Sequence, residues 1–169
     1  MQISFRVYGT PKPGGSKRGF LNRHTGRVQI VETCDNADWK TSVRLAAVEA
    51  MKGKGLLQGP LSLTILFYVP RPKSHFGKKG LKKHAPGYSM KLPDATKLLR
   101  STEDAMTGIV WHDDAQVATQ YVEKRYAVWH GMSPDEMAEM GSGARIRVYE
   151  IEPAKEVTEP NGLPHNNHP

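Results

Sequence analysis

A nine-residue apolar run constrains the fold of this chain more than any other sequence feature. Leu61–Val69 is almost entirely apolar and is followed by Pro70 and Pro72, which cannot continue a strand. Its length and composition predict a buried strand, and the run is too short to cross a bilayer. A buried strand must be covered by further layers of structure, so the rest of the chain is expected to pack around it.

The periodicity of apolar residues predicts two helices and several more strands. One helix is expected from Asn36 or Asp38 to about Met51, and a second from Asp94, as its N-cap, to about Met106. Alternation predicts strands over residues 2–8, 116–128 and 144–151, a hairpin over 20–30, and a short helix is expected over 133–140. These elements predict an α/β (α+β) fold with a mixed β-sheet packed by two main helices.

Length and composition indicate one domain. The chain has 169 residues, 38% of them hydrophobic, with a mean hydropathy of -0.55, which is typical of a globular protein. We expect the domain to span residues 1–152 and residues 153–169, rich in Pro, Asn and His, to form a disordered tail. Cys34 is the only cysteine, which excludes an internal disulfide and fits a reducing compartment. Because no apolar run is long enough to cross a bilayer and residues 1–9 alternate like a strand, not like a signal peptide, we expect a cytoplasmic protein with no membrane association.

Positive charge is concentrated in two stretches without acidic residues. The formal net charge is +7, and residues 1–31 and 71–91 contain no Asp or Glu. Basic, glycine- and proline-containing stretches of this kind favour a polyanionic partner, although a solubilising surface is the alternative. The cations proposed to contact DNA in and near these stretches, with two placed later in the chain, are Lys12, Lys17, Arg18, Lys78, Lys79, Lys82, Lys83, Lys91, Lys97 and Lys124.

Carboxylates flank the second predicted helix beside the basic stretch 71–91. Asp94 precedes the helix, and Asp113 and Asp114 follow it at the head of the next predicted strand. Phosphodiester hydrolysis uses such groups because Mg²⁺ prefers oxygen ligands, and Arg100 could clamp a phosphate. The alternative is structural: Asp94 a helix cap, Asp113 and Asp114 a solvated turn, and Arg100 the partner of an acid four residues away.

The run from Pro93 to Val117 resembles the RusA-type Holliday-junction resolvases. The family pattern is Pro-Asp-x-Asp-Asn-Leu-x-Lys, then Asp-Ala-Leu-x-Gly, then Asp-Asp-x-Gln-Val, and this chain follows its order and spacing. The resemblance implies a homodimer that cuts four-way DNA junctions with Mg²⁺, for which Mn²⁺ is a possible substitute. It also implies that Asp94 and Asp114 are catalytic metal ligands, with Asp113 beside them.

The chain departs from the family pattern at two functional positions. Thr96 stands where the family has its second aspartate, and Arg100 stands where it has a lysine. Loss of a carboxylate should weaken metal binding, so we expect Glu103 or Asp113 to supply the missing ligand. Arginine keeps the charge and can still clamp a phosphate. A catalytically impaired, branched-DNA-binding relative is therefore the second hypothesis, and a basic protein that binds RNA or an acidic protein is the third.

Overall fold

The structure is a computed structural model that describes residues 1–15, 17–32, 35–128 and 141–152. The short helix predicted over 133–140 and the tail predicted over 153–169 lie outside these residues. The two main helices are α1 (Ala37–Met51) and α2 (Ala95–Met106). The strands are β1 (Gln2–Tyr8), β2 (Lys17–Leu21), β3 (Val28–Glu32), β4 (Leu61–Val69), β5 (Phe76–Gly77), β6 (Gly80–Leu81), β7 (Val117–Tyr126) and β8 (Gly143–Glu150), with 3-10 turns at Lys73–His75 and Asp114–Gln116.

A mixed four-stranded sheet forms the centre of the domain. Its strand order is β1-β8-β4-β7, with β4 parallel to β7 and antiparallel to β8. The inward side chains of β4 are fully buried, which confirms the buried strand predicted from its apolar run. The predicted fold class, a mixed sheet packed by two helices, is also confirmed.

Both helices cover the same face of the sheet. The apolar stripe predicted for α2 is buried throughout, and α1 buries Trp39, Val43, Ala47 and Met51. Trp39 of α1 donates a hydrogen bond from Nε1 to Oγ1 of Thr102 in α2 at 3.0 Å, so the interhelical contact also satisfies a buried polar group. The opposite face of the sheet has no helix over it among the described residues.

The outer elements largely follow the sequence-based expectations. The hairpin expected over 20–30 is present as β2 and β3, with longer strands than expected. The segment 71–91, expected to be an irregular loop, contains a 3-10 turn and the small β5–β6 hairpin. No helix in the described residues is both long enough and apolar enough to span a membrane.

Gly143 is a position where only glycine fits the sheet. A Cβ atom built there would lie 2.0 Å from the backbone carbonyl oxygen of Val7, which cannot move without opening the β1–β8 pairing. We therefore expect Gly143→Ala to lower the free energy of unfolding by about 1–3 kcal/mol or more. Thermal unfolding measures the change, and Gly141→Ala is the matched control because its Cβ meets nothing within 4 Å. Equal melting temperatures for the two variants would contradict this account of the β1–β8 contact.

Candidate active site and nucleic-acid surface

Asp94 lies at the N-terminal end of α2, and its carboxylate does not cap the helix. It occupies the N-cap position with an extended backbone, yet its side chain makes no capping hydrogen bond. The carboxylate is half exposed, and its Oδ2 lies 3.5 Å from Nζ of Lys97 one turn along the helix. The alternative role of Asp94, as a side-chain cap, is therefore not the one its carboxylate performs in the structure.

Lys124 of β7 holds the backbone that leads into α2. Its Nζ donates hydrogen bonds to the carbonyl oxygens of Lys91 at 2.6 Å and Pro93 at 2.7 Å. Two of the three ammonium hydrogens are thus used within the protein. The predicted DNA contact of Lys124 stays a prediction, and the structure gives this lysine a positioning role beside Asp94.

The first basic stretch packs against the N-terminal half of α2. The backbone N–H of Gly14 donates to the carbonyl of Lys97 at 2.8 Å. Buried Asn36 donates from Nδ2 to the carbonyl of Pro13 and to the Ser101 hydroxyl, both at 3.3 Å. Lys12 is exposed in this segment. The side chains of Lys17 and Arg18 lie outside the described residues.

Two other acids meet at the opposite end of α2. Oδ1 of Asp114 accepts a hydrogen bond from Trp111 Nε1 at 3.1 Å and another from the hydroxyl of Thr107. Glu103 accepts from Nε2 of Gln120 in β7 at 2.7 Å. Burial raises the pKa of Glu103, and the nearby charges of Asp114 and Asp104 raise it further, while the bond from Gln120 opposes the shift. Glu103 and Asp114 therefore form a repelling pair of carboxylates.

Asp113 has a local structural role. Its Oδ1 accepts a hydrogen bond from the N–H of Ala115 at 2.8 Å, and the Gln116 side chain accepts from the N–H of Asp113 at 3.1 Å. This reciprocal capping box fixes the 3-10 turn before β7. The turn holds Asp114 in place, while the metal-binding role expected for Asp113 remains a prediction.

The two acidic groups of one chain lie far apart. Thr107, which bonds Asp114, is thirteen residues beyond Asp94, so a rise of 1.5 Å per residue separates the two positions by roughly 20 Å. Glu103 lies near Asp114 and away from Asp94. Consistently, no group of three potential metal ligands is assembled among the residues that the structure describes. One chain alone does not bring Asp94 and Asp114 to the same ion.

Arg100 lies on the exposed side of α2 between these two ends. Thr96, Arg100 and Glu103 share one side of the helix, as the spacing predicts. Asp104, the proposed structural partner of Arg100, pairs instead with Lys40 of α1 at 3.2 Å. The guanidinium of Arg100 is thus placed where a phosphate can reach it.

Arg71 organises the second basic stretch from its base. Its Nε donates to the carbonyl of Val128 at 2.6 Å, its Nη1 donates to the carbonyl of Pro86 at 2.8 Å, and its guanidinium lies over the ring of Tyr126. Burial lowers the pKa of Arg71. These contacts tie both ends of residues 71–86 to the end of β7. Arg71 is therefore structural, in contrast to the lysines that this segment carries.

The lysines of this segment face solvent. Lys82 donates from Nζ to the carbonyl of Ser74 at 2.8 Å, which helps close the small hairpin. Tyr88 is also exposed and lies against the guanidinium of Arg125. The other predicted DNA-binding lysines of the segment, all exposed, are Lys78, Lys79, Lys83 and Lys91. Together these side chains give the edge of the domain next to Asp94 a positive surface.

Sequence reasoning did not find the residues that support the acids. Thr107, Trp111 and Gln120 bond Asp114 or Glu103, and Arg71 and Asn36 fix the two basic stretches. Only Trp111 carried a usable signal, because a fully buried tryptophan needs an acceptor for its N–H. The remaining partners follow from contacts between distant segments.

These features define a class of protein. A small α+β domain with carboxylates at both ends of one helix, beside exposed lysines, carries the groups that chemistry on nucleic acid phosphates requires. The sequence profile of the family "Endodeoxyribonuclease RusA" matches residues 10–131, which is most of the chain. The chain therefore belongs to the RusA endodeoxyribonuclease family. It is also 29% identical over 128 residues to the uncharacterised protein YqaN of Bacillus subtilis strain 168, covering 74% of this chain and 88% of that protein.

The raised pKa of Glu103 leads to a pH-dependent stability difference. An acid whose pKa is higher in the folded protein than in the unfolded chain lowers the stability when it is ionised. This cost disappears below the pKa of the unfolded chain, which is about 4.3 for Glu. Glu103→Gln should therefore raise the melting temperature near pH 7, with a gain that vanishes as the pH falls below about 4. Thermal melts in EDTA measure this. Glu49→Gln on exposed α1 is the control, and a gain for Glu103→Gln that persists at low pH would contradict the electrostatic cause.

Proposed function

We propose that this protein is a structure-selective endonuclease that resolves Holliday junctions by Mg²⁺-dependent phosphodiester hydrolysis, in DNA recombination and repair in the cytoplasm. The observation that carries the proposal is the position of Asp94 and Asp114. Both match the catalytic aspartates of the family pattern, and both project at the ends of a helix that borders the lysine-bearing segment 71–91. Branched DNA supplies both the phosphate for the acids and the backbone for the lysines.

We further propose that the active sites are completed in a homodimer. The Asp94 end and the Asp114 end of α2 are roughly 20 Å apart, and an ion needs ligands within about 2–2.6 Å. The Asp94 and Asp114 carboxylates of one chain therefore cannot bind the same ion. Two copies related by a two-fold axis can bring the Asp94 end of one copy to the Asp114 end of the other.

The edge of the sheet offers a surface for this arrangement. β7 is the outer strand, and beyond β4 its hydrogen-bonding partners in the described residues are Gly87 and Ser89, near its end. The backbone of β7 from Val117 to Glu123 therefore has no hydrogen-bonding partner on its outer side among the described residues. α2 runs antiparallel to β7, because Gln120 meets Glu103 and Lys124 meets Pro93. Antiparallel pairing of two β7 edges would place the two α2 helices side by side in opposite directions.

In this arrangement each residue has a defined task. Asp94 of one copy, with Glu103 and Asp114 of the other, forms an oxygen-rich set that suits Mg²⁺, and Asp113 has one carboxylate oxygen left beside them. Bound Mg²⁺ would supply Lewis-acid stabilisation of the phosphate and an activated water. Glu103 takes the place of the family aspartate that is Thr96 here. Arg100 clamps a non-bridging phosphate oxygen, and the exposed lysines hold the DNA arms.

The alternative is a branched-DNA-binding protein of the same family with impaired catalysis. The observation that favours it is Thr96, which offers a neutral hydroxyl in place of a carboxylate. The basic surface would serve this function equally well. The two functions differ only in whether bound DNA is cut.

The first test is cleavage of a labelled four-way junction. Purified protein with Mg²⁺ or Mn²⁺ should nick the junction far faster than linear duplex, and Asp114→Asn should reduce cutting by at least about 100-fold, because a metal ligand is lost. Binding of the junction in EDTA should stay within a few-fold of wild type. Asp38→Asn, an exposed acid on α1, is the control. Junction binding by wild type without cutting in either metal would favour the impaired alternative.

The second test asks whether two chains share one site. Asp94→Asn and Asp114→Asn should each be inactive alone. If sites are shared, unfolding and refolding them together produces mixed dimers in which one site holds both wild-type acids, so roughly a quarter of the wild-type sites return. If each site lies within one chain, mixing restores nothing. Mixing Asp94→Asn with an Asp94→Asn/Asp114→Asn double variant is the negative control, because no intact site can form.

A further inference from the structure

The face of the sheet opposite the helices carries a concentration of arginines. This open face consists of the outward side chains of the four central strands, including Ser4, Arg6, Thr64, Leu66, Tyr121, Glu123, Arg125, Arg145 and Arg147. Four of these residues are arginines, drawn from three strands, and Glu123 is the only acid on the open face among the described residues. The helices cover the other face, so neither the acids of α2 nor their supporting residues belong to this surface.

The arginines of the open face are placed against one another. Arg6 of β1 lies directly opposite Arg145 of β8 in the strand register, and Arg147 is the next residue of β8 on the same side. Like charges in this relation destabilise a sheet. The side chains of Arg145 and Arg147 are exposed and make no hydrogen bond or ion pair with another described residue. The guanidinium groups of Arg145 and Arg147 therefore lie beside each other without an acidic partner among the described residues.

A depression in the open face places hydroxyl groups beside the guanidinium groups of Arg145 and Arg147. Its volume is about 300 Å³, and hydroxyl groups of Ser4, Thr64 and Tyr121 line it beside Arg145 and Arg147. Glu123 also borders the depression, but it pairs with Arg125 and accepts a hydrogen bond from the Tyr121 hydroxyl at 2.9 Å. The negative charge of Glu123 is thus offset by Arg125 of the same strand. What remains is two guanidinium groups and several hydroxyls facing one concave surface.

We propose that the open face binds the phosphate backbone of DNA, as a contact separate from the active site and from the lysines of residues 71–91. Arg145 and Arg147 bind adjacent phosphates through their guanidinium forks, and the hydroxyls of Ser4 and Thr64 donate to the remaining phosphate oxygens. Because this surface lies across the sheet from α2, it would hold a part of a branched substrate away from the cutting site. The inference rests on DNA being the substrate, as proposed above.

Charge complementarity selects DNA as the occupant of this surface. A second copy of the chain, related by a two-fold axis through the open face, would place the same arginine cluster against itself. Such a contact repels unless acids offset it, and Glu123 is already paired. A polyanion instead complements the exposed positive charges of Arg145 and Arg147.

The test is the salt dependence of junction binding in EDTA, where no cutting interferes. The double variant Arg145→Gln/Arg147→Gln is compared with Arg44→Gln/Lys52→Gln, which removes two exposed charges from α1 and from the residue that follows it, on the covered side. The first variant should bind roughly tenfold more weakly or worse near 0.1 M salt. Its slope of log affinity against log salt should fall by about 2, one for each lost phosphate contact. Arg145→Lys/Arg147→Lys should recover most of the affinity.

The remaining outcomes each decide the inference. Equal salt slopes for the Arg145→Gln/Arg147→Gln and control variants would overturn the inference. A change of sedimentation from dimer to monomer in the Arg145→Gln/Arg147→Gln variant without DNA would also overturn it, because the open face would then hold a second copy. Millimolar inorganic phosphate that abolishes wild-type binding would indicate a site for small phosphates and also overturn it. The melting temperature of the Arg145→Gln/Arg147→Gln variant should equal or exceed that of wild type, since like-charge repulsion is relieved. Arginine-dependent binding without any cleavage would support this surface while refuting the proposed nuclease.

Discussion

The antiparallel pairing of α2 with β7 fixes where the acids of the candidate site lie. Polar contacts connect the two elements along their whole length: Lys124 reaches Pro93 at one end and Gln120 bonds Glu103 further along. Asp114, in the turn between them, bonds Thr107 just past the end of α2. Because the strand returns beside the helix and bonds it near both ends, the two ends are held at a fixed separation. A rigid spacer of this kind suits a site assembled from two copies, since each copy then presents both halves at a constant distance.

The buried strand, the two helices and the α+β fold were predictable because each depends on local signals. The apolar run of β4 and the stripes of α1 and α2 report burial directly, and Gly108 and Pro70 mark where elements end. The placement of Asp94 and Asp114 at opposite ends of one helix was also implicit in their spacing. What the sequence left open was whether the chain folds them together, and that depends on the contacts of β7 with α2, which are formed between distant residues.

The roles of the supporting residues could not be predicted from the sequence for a related reason. Asp113 and Asp114 are adjacent and identical in type, yet one caps a turn and the other accepts bonds from Trp111 and Thr107. Arg71 looked like one more cation in a basic stretch, but it is half buried and bonds main-chain carbonyls. Side-chain roles of this kind are decided by which backbone groups lie within hydrogen-bonding distance, and composition carries no information about that. Charge counting therefore identified the basic stretch 71–91 but could not separate the structural Arg71 from the exposed lysines.

The departures from the family pattern change the charge at the N-terminal end of α2, and the C-terminal end differs from it. At the N-terminal end, Thr96 removes one negative charge, Lys97 adds a positive charge beside Asp94, and Arg100 keeps a cation one turn further on. This end has become better suited to a phosphate, which the helix N-terminus also favours. At the C-terminal end, Glu103 and Asp114 form a repelling carboxylate pair, with the pKa of Glu103 raised by burial and by that charge. A divalent cation would relieve this repulsion. If two copies join these ends, Glu103 of one copy can supply the carboxylate that position 96 of the other copy lacks, because the ligand set belongs to the dimer and not to one helix end.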